Sequence, residues 1–165
     1  MKQAKYNSPY GELTIVADEK YLYALFFSSQ VHYYGHYNLG HIRMGSNPII
    51  RKTVGWLAKY FKGKKVRADN IPIYLGKYKT QKKILSVLKE IPYGEEKPYQ
   101  QIVEMLESDK IKQPNLLNAI KYFIEHNPIL LIVPSHRVKD IKEYPCGIER
   151  KNILITYEKS KKFNL

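Results

Sequence analysis

The pattern of apolar residues changes once along this 165-residue chain, and that change constrains the fold more than any other feature. The N-terminal part opens with strand signals. Gly11-Glu12-Leu13-Thr14-Ile15-Val16-Ala17 and Tyr21-Leu22-Tyr23-Ala24-Leu25-Phe26-Phe27 are β-branched and aromatic runs, separated by the turn-like Asp18-Glu19-Lys20. They predict a hairpin approached through the Ser8-Pro9-Tyr10-Gly11 turn. The polar stretch from Ser28 to Pro48 reads as loop or irregular strand. Residues 49–62 turn helical, with Ile50, Val54, Leu57, Ala58 and Phe61 on one face and Gly63 placed to end the helix. From about Lys77 onward the spacing is helical throughout. Thr80 is placed to cap a helix with Ile84, Leu85, Val87 and Leu88 inside, and Pro92-Tyr93-Gly94 breaks it. Pro98 opens a second helix that buries Ile102, Val103, Met105 and Leu106. Pro114-Asn115 starts a third, from Leu116 to about His126, with Leu116, Leu117, Ile120, Phe123 and Ile124 as its apolar face. The expected class is α+β. A small α/β domain built on an antiparallel sheet spans residues 1–75, and a mostly helical domain containing a helix-turn-helix spans residues 76–165.

Composition describes an ordinary globular chain, 44% hydrophobic and 26% charged. The longest apolar runs, such as Ile129 to Val133, are far too short to span a bilayer, so no membrane role is expected. The N-terminal Met1-Lys2-Gln3-Ala4-Lys5-Tyr6 has no apolar signal core, which predicts an intracellular, cytoplasmic protein, nucleoid-associated in a prokaryote. A single cysteine, Cys146, excludes an internal disulfide. The formal charge of +13 is a footprint of nucleic-acid binding. Lysine supplies most of it, beside Arg43, Arg51, Arg67, Arg137 and Arg150, and that bias also fits lysine used as a solubilising residue.

Near the C-terminus, Asn127-Pro128-Ile129-Leu130-Leu131-Ile132-Val133-Pro134-Ser135-His136-Arg137-Val138 carries an apolar run to a rigid Pro134 turn, which then presents a hydroxyl, an imidazole and a guanidinium. This segment resembles the active-site signature of the O6-alkylguanine-DNA alkyltransferases, which read Pro-Cys-His-Arg-Val here. The likeness extends over nearly the whole chain, through Ser8-Pro9-Tyr10-Gly11, Tyr60-Phe61-Lys62-Gly63, Ile91-Pro92-Tyr93-Gly94-Glu95, Tyr99-Gln100-Gln101-Ile102, Tyr144, Gly147 and Glu158. The resemblance implies a winged-helix-like DNA-binding domain acting on double-stranded DNA as a monomer, with no cofactor and no metal. A guanine alkylated on O6 is flipped out of the duplex, and a thiolate takes the alkyl carbon. By the same resemblance, Glu158 orients His136, which deprotonates the nucleophile at position 135 through a water. Asn127 braces the turn, Tyr99 contacts substrate and phosphate, Arg137 ties the two domains together, and Tyr144 packs on the flipped base.

Several positions depart from that pattern. Ser135 stands where the family has its reactive cysteine. Attack on saturated carbon needs a soft, readily ionised nucleophile, which a thiolate is and a hydroxyl is not. Asn118 stands where relatives carry an arginine finger that fills the gap left by the flipped base. Pro145, after Tyr144, has no N–H to offer the guanine oxygen. Cys146 occupies a glycine position beside Gly147. Lys121 and Tyr122 replace small residues on the recognition helix.

The resulting expectation is a DNA-binding protein that recognises O6-alkylguanine without alkyl transfer. Two other readings stand beside it. One is an alkyltransferase whose cysteine was changed to Ser135 to trap a complex, or whose chemistry moved to Cys146. The other is a diverged homologue that contacts RNA or protein.

Overall fold

Three antiparallel strands open the chain in the order β1 (Lys2–Ser8), β2 (Gly11–Ala17) and β3 (Leu22–Phe27). The computed structural model describes residues 1–30, 38–74, 79–108 and 116–162. The described chain divides into two compact units, Met1–Tyr74 with Pro128–Ile132, and Leu75–Asn127 with Val133–Leu165. The 75/76 boundary expected from the sequence falls among residues that are not described.

In the first unit, β2 is the central strand. Leu13, Ile15, Val16 and Ala17 are buried, as is Thr14, so both faces of the strand are covered. The expected hairpin is present as β2 and β3, with Asp18 Oδ1 accepting from the backbone N–H groups of Lys20 and Tyr21 at 2.7 Å each. β1 is a strand that the sequence pattern did not predict. It carries no β-branched residue and its side chains lie half-exposed, so propensity is silent. Its register on β2, from Lys2 opposite Ala17 to Ser8 opposite Gly11, is what holds it. Gly11 makes that turn possible because its φ of 123° is closed to residues with a Cβ.

The outer edge of β3 is extended at both ends. Leu22 pairs with Ile73, and Leu25 pairs with Ile129, where Leu25 N donates to Pro128 O and Leu130 N donates to Leu25 O. The apolar run after Pro128 therefore serves as sheet material for the first unit. Helix α1 (Pro48–Tyr60) begins one residue earlier than the spacing suggests, because Asn47 caps it. Asn47 Oδ1 accepts from Ile50 N at 2.8 Å, and Asn47 Nδ2 donates to Ala17 O at 3.0 Å, which ties the helix to β2. Its buried stripe is Ile49, Ile50, Thr53, Trp56, Leu57 and Tyr60. Val54, Ala58 and Phe61, expected inside, are only partly buried.

The second unit holds α2 (Lys79–Lys89), β4 (Lys97–Pro98), α3 (Tyr99–Ser108), α4 (Leu116–Glu125), β5 (Val138–Lys139) and α5 (Ile148–Lys162). Helices α2, α3 and α4 pack on one another, and β4 pairs in parallel with β5. Ile84, Leu88, Ile91, Ile102, Leu106, Ile120, Ile124 and Leu154 form the fully buried centre.

Three expectations are corrected here. Thr80 is the second residue of α2 and does not precede it as a cap. Pro98 lies in β4, and its Lys97–Pro98 pairing places the helix start at Tyr99. Leu117 is 52% exposed, since it sits at the margin of the α4 stripe in the helix's first turn. Pro114-Asn115 and the middle of the Ser28–Pro48 stretch lie outside the described residues, as does the connection between α3 and α4. None of the described helices is long and apolar enough to cross a membrane.

Candidate active site

Asn127 and Val133 mark the points where the chain leaves and rejoins the second unit, and one side chain joins them. Asn127 Nδ2 donates to Val133 O at 3.0 Å and also to Ser135 Oγ at 2.7 Å. A single buried amide thus fixes both the base of the turn and the rotamer of the serine. The turn itself is a 3-10 segment, Ser135–Arg137, closed by Ser135 N donating to Val133 O and Arg137 N donating to Pro134 O. Ser135 and His136 are completely buried, and Arg137 is 9% exposed.

Glu158, on α5, organises the rest. Its carboxylate collects four donors: His136 Nε2 at 2.7 Å, Arg137 Nη2 at 3.0 Å, Arg137 Nε at 2.9 Å and the Gly94 backbone N–H at 2.9 Å. Burial alone would push this carboxyl up. His136 and Arg137 outweigh it and hold Glu158 well below the usual carboxylate range. Burial pushes the His136 imidazole down, and Glu158 offsets only part of that. The consistent state is an ionised Glu158 neutralised by Arg137, beside a neutral His136 that donates its Nε2–H. His136 Nδ1 then carries a lone pair, and it has no hydrogen-bond partner. A base is therefore oriented and stocked at this turn. No hydrogen bond joins it to Ser135 among the described residues, so a Ser-His-Glu relay of hydrolase type is not assembled.

The structure buries Asn127, Ser135, His136, Arg137, Tyr144 and Glu158 in two hydrogen-bonded groups, Asn127–Ser135–Tyr144 and His136–Glu158–Arg137, which meet at the Ser135–His136 peptide. The Tyr144 hydroxyl lies 3.2 Å from Ser135 Oγ, and burial pushes its ionisation well above the usual tyrosine value. Arg137 makes hydrogen bonds to Glu158 and to Ile91 O, both in the second unit. Pro145 is buried, and Cys146 beside it is partly buried, with burial pushing its thiol up to about 12 against the pull of Arg150. Gly147 closes that loop through its N–H to Tyr144 O, at a φ of 86° that requires glycine.

Tyr99, Asn118, Lys121 and Tyr122 stand apart from these groups. Tyr99 opens α3, and its hydroxyl donates to Leu117 O on α4. Asn118, Lys121 and Tyr122 are exposed on α4. Sequence reasoning missed the roles of Ile91, Tyr93 and Gly94 here. Gly94 gives Glu158 a donor, and the Tyr93 ring lies 5.6 Å from the Arg137 guanidinium. The signal was present as the Pro92-Tyr93-Gly94 break, but a backbone N–H aimed at a distant carboxylate leaves no mark in residue type.

Comparison with known proteins places both parts of the chain in one family. Residues 1–75 match the ribonuclease-like domain of 6-O-methylguanine DNA methyltransferase, and residues 79–160 match its DNA binding domain. The chain belongs to the 6-O-methylguanine DNA methyltransferase family. It is 30% identical over 156 residues to the methylated-DNA--protein-cysteine methyltransferase of Saccharolobus islandicus, covering 93% of this chain and 92% of that one. It is also 30% identical over 158 residues to that of Mycolicibacterium paratuberculosis, covering 93% of this chain and 89% of the relative. The crystal structure of Mycobacterium tuberculosis OGT in complex with DNA superposes with a TM-score of 0.78 at 28% identity, covering 98% of this chain and 94% of that one.

Proposed function

We propose that this protein binds double-stranded DNA through its second unit and recognises O6-alkylated guanine there without accepting the alkyl group. The observation that carries this reading is Ser135 at the centre of an otherwise complete turn. Asn127 braces the residue, Glu158 orients His136, and the imidazole keeps a free lone pair at Nδ1. Everything that would prepare a nucleophile is in place except a nucleophile of the right kind. Transfer would form a bond from Oγ to carbon, break the bond from that carbon to O6, and hand the serine proton to a base. A neutral hydroxyl is a poor partner for that displacement, because oxygen is hard and a serine hydroxyl stays un-ionised at neutral pH. The nearby thiol does not replace it: burial keeps Cys146 protonated at neutral pH. The protein acts as a monomer.

Binding supported by a charge of +13 should be strongly electrostatic. In anisotropy titrations, the log of the affinity should fall with log salt by about 0.9 per phosphate neutralised. A duplex carrying one O6-methylguanine should bind more tightly than its unmodified counterpart. Absence of binding at low salt would remove the DNA reading, and equal affinity for the two duplexes would remove lesion recognition.

A further inference from the structure

Helix α4 shows solvent an unusual set of neighbours. Leu117 is 52% exposed and Tyr122 is 61% exposed, with Asn118 and Lys121 exposed between them. Tyr122, in the last turn of α4, is the more exposed of the two large apolar side chains. Tyr122 is also braced. Its ring stacks on that of His126 at 4.0 Å between centroids and 15° between planes, and His126 Nδ1 lies 2.9 Å from the Tyr122 carbonyl oxygen. With one face covered, the exposure of Tyr122 belongs to the other face and the edge of the ring. Beside it, Lys121 reaches Glu125 only at 3.7 Å and with its own side chain 58% exposed, a weak pairing that leaves its charge usable.

A fixed aromatic face next to a solvated ammonium, on a chain of charge +13, matches one kind of partner: a base to stack and a phosphate to neutralise. The ring cannot reach a base face inside an intact duplex without first unstacking a step. Where a pair is already interrupted, that cost has been met. We propose, resting on the DNA-binding reading above, that Tyr122 braced on His126 is a stacking platform for an unpaired DNA base. Helix α4 then selects interrupted duplexes over perfect ones, whether or not a guanine is alkylated. Stacking of this kind tolerates any base, since every base presents a π-face.

The test uses the full chain, a perfect unmodified duplex, and the same duplex with a one-nucleotide gap opposite 2-aminopurine. The protein should bind the gapped duplex about tenfold more tightly and quench the 2-aminopurine emission. Tyr122→Ala should abolish both the preference and the quenching, and Tyr122→Phe should keep both. A preference that survives Tyr122→Ala, or equal binding to both duplexes by the unaltered protein, overturns the proposal and leaves DNA binding standing. Failure to bind either duplex at low salt overturns both.

Discussion

Glu158 shows how one residue sets the protonation of a whole site. Four donors converge on a carboxylate with no exposed surface, and two of them come from Arg137. Glu158→Gln would leave the nearly buried guanidinium uncompensated, a loss of about 3–5 kcal/mol in unfolding free energy measured by urea titration. Two linkage effects follow from the same contacts. The Glu158 folded pKa lies below its unfolded value near 4.3, so its contribution is full above that pH and is lost as pH falls toward the folded value. The His136 folded pKa is also depressed, so its contribution fades as pH drops below the unfolded value of about 6.5. Stability should therefore fall on acidification from about pH 6.5 downward, with a further fall below about pH 4. In Glu158→Gln, the step below about pH 4 should be much smaller; a step of unchanged size would mean that the carboxylate is not linked to folding.

At the scale of elements, α4 separates buried from exposed side chains by face. Ile120, Phe123 and Ile124 bury into the second unit, while Asn118, Lys121 and Tyr122 remain outside. Lys121→Glu should lower DNA affinity equally for all sequences and reduce the salt slope by about one, as expected for a phosphate contact. Unchanged affinity would move the docking element elsewhere. This division was legible in the sequence, because helical spacing reports directly which positions share a face. The β2–β3 hairpin was legible for the same reason, through dense β-branched and aromatic runs. β1 was not, because an edge strand of Lys, Gln, Ala, Tyr, Asn and Ser is specified by its partner's register and not by its own composition. Nor was the excursion of Pro128–Ile132 into the first unit, where an apolar run pairs with Leu25. The Ser135, His136 and Glu158 grouping could be named only through family resemblance, since the 3-10 turn and α5 are joined by contacts that spacing does not encode. The Gly94 donor and the Arg137 bond to Ile91 were beyond that reach as well.

The whole molecule combines a family fold, a net charge of +13 and a buried turn that carries the Ser135 hydroxyl. Each unit has its own buried centre, and the single cysteine leaves neither held by an internal disulfide. Intact-mass spectrometry separates binding without transfer from alkyl transfer. The protein is incubated to equilibrium with excess duplex containing O6-methylguanine, then weighed and mapped by peptide. An unchanged mass is expected, with the Ser135 and Cys146 peptides both unmodified, and a one-methyl gain only in Ser135→Cys, where the nucleophile position carries a thiol. A methyl group on Ser135 or Cys146 of the unaltered protein would contradict binding without transfer.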